Sequence, residues 1–476
     1  MRNKGLPGAQ KVYQAVLWIA LACFLAVCTF FQIHNAQWLL GDEAIVMNAT
    51  GMDKAFSPLG FSGMITSYGR FYPFAYNLYN VLLPFYDGRI PPSAIYTLQA
   101  VALVIFACAF ALSGLILLRK VSSPWKYATV FFFVVICVFR VYPEFITCYT
   151  GVWIVYLFLS LFLLFSCRFC ETENWVDGIL ALVSINYVIY CYETVFTIPM
   201  AVGACSLLFN YRGLTRRKRV FHGLLVASGL LFLALYAVLV VPNARDYYQH
   251  YGTSTFIGNA LKMFLANKLY WLATVVLVVR VYQMIVKKSG YRSQDSLLLA
   301  SFAYFLGAAV LKLNYTYYYN IGALIGLAAC VSLLNDWLKP QWICLLMLAF
   351  ALFYGRKIPG VIRKNQAARS RVYQAMTALS RQVDSGETLY WFEPPYDGTS
   401  PSYLDMRETS KVRVKVYLDW LRQAPVSIEG QASFDGKKGV WLVYPGSGED
   451  IPGTPADLQA CELVFSTTGI KGYRCP

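Results

Sequence analysis

Two adjacent carboxylates, Asp42 and Glu43, are the first residues along the chain with the means to do chemistry. They follow a long apolar run, residues 12–31, so they stand where the chain leaves a membrane-spanning helix. Charges beside a bilayer are scarce, and those that face a cavity are usually functional. A carboxylate within hydrogen-bond reach of a hydroxyl can remove its proton as a new bond forms. The alternative is a solvated loop that only ends the helix.

The other carboxylates avoid the middle of the predicted spans. Of the 25 Asp and Glu residues, 13 lie between Asp384 and Glu462, which leaves 12 before the tail. Ion pumps and proton relays usually need a carboxylate near the membrane midplane, so the sequence disfavours a transporter. The five predicted on the inner side are Glu171, Glu173, Asp177, Asp295 and Asp336. The seven on the outer side, where we expect the chemistry, are Asp42, Glu43, Asp53, Asp87, Glu144, Glu193 and Asp246.

A helical membrane scaffold must position these groups. The chain of 476 residues is 58% hydrophobic and 14% charged, whereas soluble domains are about 25% charged. Apolar runs of about 17–25 residues indicate spanning helices, and we count about eleven. They lie near 13–33, 94–118, 124–142, 151–167, 175–192, 194–210, 223–242, 269–286, 296–313, 319–337 and 341–355.

The basic residues predict the orientation of the spans. Cytoplasmic loops are rich in Lys and Arg, which here places the N-terminus in the cytoplasm and the C-terminal tail outside. The first span has no convincing cleavage site after it and reads as a retained anchor. The formal charge of +16 does not indicate a nucleic-acid partner, because these cations mostly flank helices or lie in the tail. The cations in the inner loops are Arg119, Lys120, Arg168, residues 212–219, Lys287, Lys288, Arg292 and Lys339.

The composition changes near residue 356. We predict a membrane domain over 1–355, with a long outer loop over 34–93, and a soluble domain over 356–476. Residues 361–384 read as a basic amphipathic helix, and the rest as a small mixed α/β domain. If this tail is extracytoplasmic, Cys461 and Cys475 can form a structural disulfide. Cys167 and Cys170 have no second ligand pair, which argues against zinc.

Three short stretches in the membrane part carry a family resemblance. They are Gly41-Asp42-Glu43-Ala44 in the first outer loop, Pro143-Glu144 after the third span, and residues 312–320 in a later outer loop. The three stretches occur in this order and on the same predicted side of the membrane, and a C-terminal extracytoplasmic domain follows them. This arrangement resembles the GT-C superfamily of integral-membrane glycosyltransferases. Its members include the protein O-mannosyltransferases and the lipid A aminoarabinose transferases.

The resemblance implies an inverting transfer from a polyprenyl-phosphate sugar donor. The acceptor is a cell-envelope glycan, lipid or protein, at the outer face of what we expect to be a bacterial inner membrane. Asp42 is then the candidate general base for the acceptor hydroxyl. Glu43 and Glu144 would orient the acceptor or hold Asp42. For Glu144, an interfacial helix cap beside Pro143 is the alternative.

The donor phosphate needs cations, and the same resemblance directs attention to those on the outer side. An arginine fork suits phosphate oxygens, but cations near helix ends also snorkel to lipid headgroups. Tyr315 could stack on a sugar or belong to an interfacial aromatic belt, and Glu193 is similarly ambiguous. The candidate phosphate ligands are Arg70, Arg245, His250 and Lys312.

No organic cofactor is predicted, because no nucleotide-binding motif occurs. A divalent metal would need several converging oxygen ligands, and we do not favour one. Beyond membrane lipids, donor and acceptor, the sequence suggests no partner. Three alternatives stay open: a lipid-linked glycan flippase or transporter, a sensing or scaffold protein whose tail binds a partner, and an O-antigen ligase or polymerase, for which His250 beside Arg245 would be the signal.

Overall fold

Helices form where the sequence keeps long apolar runs, because a helix satisfies its own backbone hydrogen bonds inside a bilayer. The computed structural model describes residues 7–34, 36–39, 74, 82, 85, 90–121, 123–147, 152–243, 256–311, 316–383, 388–393, 401–422, 424–434, 436–444, 458, 461–467 and 470–476. Its helices are α1 (Pro7–Ile33), α2 (Pro92–Leu117), α3 (Trp125–Ile146), α4 (Val152–Thr172), α5 (Trp175–Ile189), α6 (Thr197–Asn210), α7 (Arg216–Leu239), α8 (Phe256–Ala266), α9 (Lys268–Ile285), α10 (Ser293–Val310), α11 (Thr316–Leu334), α12 (Pro340–Gly355), α13 (Ile358–Gln382) and α14 (Pro401–Arg422).

Each predicted span coincides with a helix, α1–α7 and α9–α12. Within the described residues, nine helices are long and apolar enough to cross a membrane. The prediction of a polytopic helical membrane protein is therefore confirmed, with the number of spans supported only roughly. The helix α5 has 15 residues and is shorter than a full span. The 11-residue α8 is a further helix that the sequence analysis did not predict.

The end of α3 differs from its prediction in a way that matters for Glu144. The apolar run was expected to end at residue 142, but the helix continues through Pro143 to Ile146. Proline removes one backbone hydrogen bond from the preceding turn, but it does not end the helix here. Glu144 therefore belongs to the last turn of a membrane helix rather than to the loop after it.

Close approach at the centre of the bundle depends on two glycines of α11. A Cβ added to Gly322 would lie 2.5 Å from the Tyr270 hydroxyl, and one added to Gly326 would lie 2.5 Å from Oγ of Ser301. Small residues spaced four apart let membrane helices pack with their backbones close together. They bring α9 and α10 against α11, in which 89% of residues 317–334 are buried.

The tail forms a five-stranded mixed sheet, and the helix α14 connects its first two strands in the sequence. The strands are β1 (Leu389–Phe392), β2 (Ile428–Gln431), β3 (Gly439–Val443), β4 (Glu462–Thr467) and β5 (Ile470–Cys475), in the order β2-β1-β3-β5-β4. The first three are parallel, and β5 is antiparallel to both β3 and β4. The predicted amphipathic helix is α13, and the predicted disulfide between Cys461 and Cys475 is present.

The tail packs against the beginning of the first long loop. The hydroxyl of Tyr417, on α14, donates to the backbone oxygen of Trp38 at 3.3 Å. The Trp38 side chain is fully buried and makes an edge contact with the ring of Trp420. The tail therefore lies at the same end of the bundle as the segment that leads to Asp42 in the sequence. The division into two domains stays a prediction.

Candidate active site at the Glu144 end of the helical bundle

Glu144 is a buried carboxylate with a free oxygen. Its side chain is 5% exposed, and Oε2 has no hydrogen-bond partner in the part of the chain that the structure describes. More than nine in ten buried polar groups in proteins have a partner, and an unpaired one costs free energy. A group of this kind at the end of a membrane helix indicates a role outside folding.

The carboxylates at the opposite end of the bundle differ from Glu144 because they are ion-paired. All five residues that the sequence placed on the inner side form ion pairs with cations. Asp295, which is as buried as Asp177, accepts from Nε and Nη2 of Arg280 at 2.8 and 2.7 Å. The pairs are Arg119–Glu171, Arg168–Asp177, Lys218–Glu173, Arg280–Asp295 and Arg292–Asp336. Ion pairing accounts for those five carboxylates, whereas it does not account for Glu144.

Arg140 lies one turn before Glu144 on α3, and α11 holds its guanidinium. The guanidinium donates to Oδ1 of Asn320, whose amide donates back to the Arg140 carbonyl at 2.8 Å. The ring of Tyr354 lies under the guanidinium carbon at 4.8 Å from the ring centroid. Residues four apart share a helix face, so Arg140 lies near Glu144 while its guanidinium donates to Asn320.

A tyrosine of α4 connects these residues to the start of α11. The hydroxyl of Tyr156 donates to the carbonyl of Tyr317 at 2.9 Å. The same hydroxyl lies near the side chains of Asn320 and Glu144. We call Arg140, Glu144, Tyr156 and Asn320 the Glu144 cluster. It joins α3, α4 and α11 at one end of the bundle.

Glu193 lies at the same end of the bundle. It begins a short 3-10 helix, Glu193–Phe196, between α5 and α6, and it is 6% exposed. The ring of the preceding Tyr192 packs on Tyr318 at 5.2 Å between centroids, and Tyr318 packs on Tyr317 at 4.5 Å. A chain of tyrosine rings therefore connects Glu193 to the Glu144 cluster.

The end of α1 and the first long loop both make contacts at this end. Gln32 donates to the Phe145 carbonyl at 2.8 Å, which joins the last turn of α1 to that of α3. In the loop, the Phe74 ring stacks on Tyr187, with 5.3 Å between centroids, and its N–H donates to the Tyr190 carbonyl at 3.2 Å. Phe74 thus joins the loop to the α5 side.

A buried arginine from the tail completes the arrangement. Arg369, on α13, is 1% exposed, donates to the Ile146 carbonyl, and lies 3.5 Å from the Gln32 carbonyl. Its guanidinium carbon is 4.0 Å from the ring centroid of Tyr96. Carbonyls at helix C-termini carry partial negative charge and lack helical partners. Arg369 thus ties the end of α3 to the end of α1, two residues from Glu144.

Of the nine site residues predicted from the sequence, the structure describes Glu144 and Glu193 and places both at the same end. The other seven, Asp42, Glu43, Arg70, Arg245, His250, Lys312 and Tyr315, lie outside the described residues, and their roles stay predictions. The sequence analysis missed Arg140, Tyr156, Asn320 and Arg369. For Arg140 a signal existed, because an arginine inside an apolar run, four residues before Glu144, predicts a shared helix face.

The described residues contain no group of three or more His, Cys, Asp or Glu side chains that could hold a metal ion. The absence of a catalytic metal stays a prediction, because Asp42 and Glu43 are not among those residues.

The whole chain is similar in fold to a solved membrane transferase. The crystal structure of ArnT from Cupriavidus metallidurans in the apo state matches 97% of this chain and 98% of its own, with a TM-score of 0.58 and 10% identity. The chain therefore shares the fold of ArnT, a GT-C membrane glycosyltransferase. The resemblance drawn from Asp42, Glu144 and residues 312–320 is therefore confirmed at the level of the fold.

Two further structures with the GT-C fold are weaker matches. The Archaeoglobus fulgidus oligosaccharyltransferase in the apo form matches 84% of this chain and 64% of its own, with 12% identity and a TM-score of 0.46. AglB from the same organism, in complex with an inhibitory peptide and a dolichol-phosphate, matches 89% of this chain and 69% of its own, with 11% identity and a TM-score of 0.45. No protein-family model matches the sequence, and no curated protein matches it significantly.

Proposed function

We propose that the protein is an integral-membrane glycosyltransferase that moves a sugar from a polyprenyl-phosphate donor to a hydroxyl of a glycan, lipid or protein. The observation that carries the proposal is the buried carboxylate of Glu144, whose Oε2 has no partner among the described residues, at the bundle end where α1, α3 and the tail meet. The GT-C fold supports the same class of enzyme.

The proposed reaction is a single displacement. The acceptor oxygen forms a bond to the anomeric carbon while the bond from that carbon to the donor phosphate oxygen breaks. The acceptor proton passes to Asp42, and the leaving group departs as polyprenyl phosphate, with inversion at the anomeric carbon. Arg70, Lys312, Arg245 and His250 are the proposed ligands of the phosphate charge, and Tyr315 of the sugar or the phosphate. Neither an organic cofactor nor a metal takes part in this scheme.

In this scheme Glu144 orients the acceptor, and the positive charge of Arg140 stabilises the buried Glu144 carboxylate. Arg140 is fixed by Asn320 and Tyr354, so it lowers the cost of a buried carboxylate without neutralising it in a direct ion pair. The free Oε2 is left to accept a hydrogen bond from an incoming hydroxyl. Glu43 and Glu193 are assigned to substrate orientation nearby.

Sugar transfer by the purified protein tests the function. The protein is incubated with a radiolabelled polyprenyl-phosphate sugar and candidate acceptors, and labelled product is separated from donor. A transferase forms a new glycosidic bond and releases polyprenyl phosphate. A flippase would move the intact donor across a vesicle membrane and release none, which would overturn the proposal.

Glu144→Gln is expected to lower turnover by about 10–100-fold, because small errors in acceptor position cost up to about 10²-fold. Glutamine keeps the shape but replaces the free acceptor oxygen with an amide that donates or accepts. Glu171→Gln is the matched control, since Glu171 is ion-paired with Arg119 at the opposite end. Equal turnover in the two variants would contradict the role given to Glu144.

The C-terminus is expected on the extracytoplasmic side. The basic loops predict it, and the disulfide between Cys461 and Cys475 suits an oxidising compartment. An alkaline phosphatase fused after residue 476 should be active in cells, and one fused after residue 120 should be inactive. The reverse pattern would move the whole proposed site to the cytoplasmic face.

A further inference from the structure

A cavity lies at the end of the bundle opposite the Glu144 cluster. It has a volume of about 420 Å³ and is lined by residues of α2, α4, α6, α7, α10 and α11 and of the turns beside them. Its residues Arg119 and Lys120 precede α3, whereas Glu144 lies in the last turn of that helix. A 22-residue helix is about 33 Å long, so the two sites are separate.

The cavity carries an excess of positive charge. Its lining includes the cations Arg119, Lys120 and Arg292 and the carboxylates Glu171 and Asp336. Arg119 pairs with Glu171 at 2.8 Å, and Arg292 pairs with Asp336. Lys120 has no carboxylate partner in the described part of the chain. One cation is thus left over, and the paired arginines keep further N–H donors for another acceptor.

Two buried polar atoms of the lining also lack partners. His222 is 3% exposed with Nδ1 unpartnered, and Ser166 is 7% exposed with Oγ unpartnered, as far as the described residues extend. Buried polar groups are nearly always hydrogen-bonded. An imidazole nitrogen and a hydroxyl can each donate to an oxygen acceptor. Together with the free Lys120, they suit an anion.

Apolar walls are formed by Ile116, Leu163, Val202, Phe221 and Leu297, and the rest of the lining includes the polar side chains of Ser293, Gln294, Ser332 and Asn335. A free, fully hydrated anion would gain nothing from such walls, whereas an anion attached to an apolar body would bury that body there. Basic pockets between membrane helices on the cytoplasmic side are known to hold lipid headgroups.

We propose that this cavity binds the phosphate of an anionic phospholipid headgroup. Lys120, Arg119 and Arg292 neutralise the charge of the phosphate, and Ser166 and His222 donate hydrogen bonds to its oxygens. The apolar walls contact the part of the lipid next to the phosphate. The site is independent of the proposed sugar transfer.

Native mass spectrometry of the full chain in detergent tests the proposal with phosphatidylglycerol as the probe and phosphatidylcholine as the neutral-headgroup comparison. Wild type should retain phosphatidylglycerol in preference to phosphatidylcholine. Lys120→Gln should weaken retention about fivefold, the effect expected for one basic residue at a membrane surface, and Lys120→Gln with Ser166→Ala should weaken it further. Lys339→Gln is the control, because Lys339 is an exposed cation outside the lining at the same end.

Each other outcome overturns the inference. Equal retention of the two lipids would exclude anion recognition, and equal retention by Lys120→Gln and Lys339→Gln would place binding elsewhere. Displacement of phosphatidylglycerol by millimolar inorganic phosphate would assign the cavity to a soluble phosphate compound instead of a lipid. Lys120 is exposed, so its replacement should not disturb folding.

Discussion

Replacing Asp42 with Asn should lower sugar transfer by about 10²–10⁴-fold, the usual contribution of a general base. This corresponds to roughly 3–5 kcal/mol of activation free energy. Asparagine keeps the shape and hydrogen bonds of the side chain but cannot take the acceptor proton. Binding of the donor should survive, because a carboxylate directed at the acceptor contributes little to the lipid phosphate. The measurement is turnover with a purified polyprenyl-phosphate sugar, with donor affinity determined in parallel.

Two neighbouring variants sharpen this test. Glu43→Gln should cost less than Asp42→Asn, since Glu43 is assigned to orientation. Asp53→Asn, in the same loop, is the matched control and should leave transfer near normal. Normal turnover in Asp42→Asn would remove its role as base, and equal losses in Asp42→Asn and Glu43→Gln would contradict the division of roles between them.

Replacing Arg369 with Met should produce the second large effect, on both stability and turnover. Methionine fills similar space but leaves the Ile146 and Gln32 carbonyls without the guanidinium. A hydrogen bond to a charged group contributes about 1.5–3 kcal/mol, so the free energy of unfolding should fall by roughly 2–5 kcal/mol. Because the lost contact anchors the last turn of α3, turnover should fall even well below the melting temperature.

Arg371→Met is the matched control for this variant. Arg371 lies two residues further along α13, is exposed, and bonds only within its own helix among the described contacts. Arg369→Lys should recover only part of both losses, because lysine lacks the planar fork that spans two acceptors. A melting curve and turnover equal to those of Arg371→Met would show that Arg369 has no positioning role.

The composition of the chain was enough to predict its class and most of its helices. Apolar runs must be helical inside a bilayer, since no other conformation of a single segment satisfies its backbone there. This is why all eleven runs coincide with helices. The short α8 was missed because its 11 residues are fewer than a span requires.

The position of Glu144 shows where sequence patterns give less information. Pro143 suggested the end of the third helix, but the bundle keeps the chain helical for three more residues. Contacts from α1 and α13 to carbonyls of the last turn, made by Gln32 and Arg369, stabilise that continuation. Such long-range partners, more than 100 residues away in the sequence, have no local signal.

By itself, the sequence determined the helical membrane class and indicated the disulfide between Cys461 and Cys475, because hydrophobicity and cysteine count are properties of composition. The sidedness of the carboxylates, which follows from the charge bias of the loops, stays a prediction. Only the tertiary structure decided that the five carboxylates on the predicted inner side are ion-paired, and that Oε2 of Glu144 has no hydrogen-bond partner among the described residues. Spacing alone would pair Arg140 with Glu144, but the Arg140 guanidinium donates to Asn320 of α11 instead. The physical reason is that a side chain's partner depends on which helices pack together, and packing is set by the shape of the whole bundle.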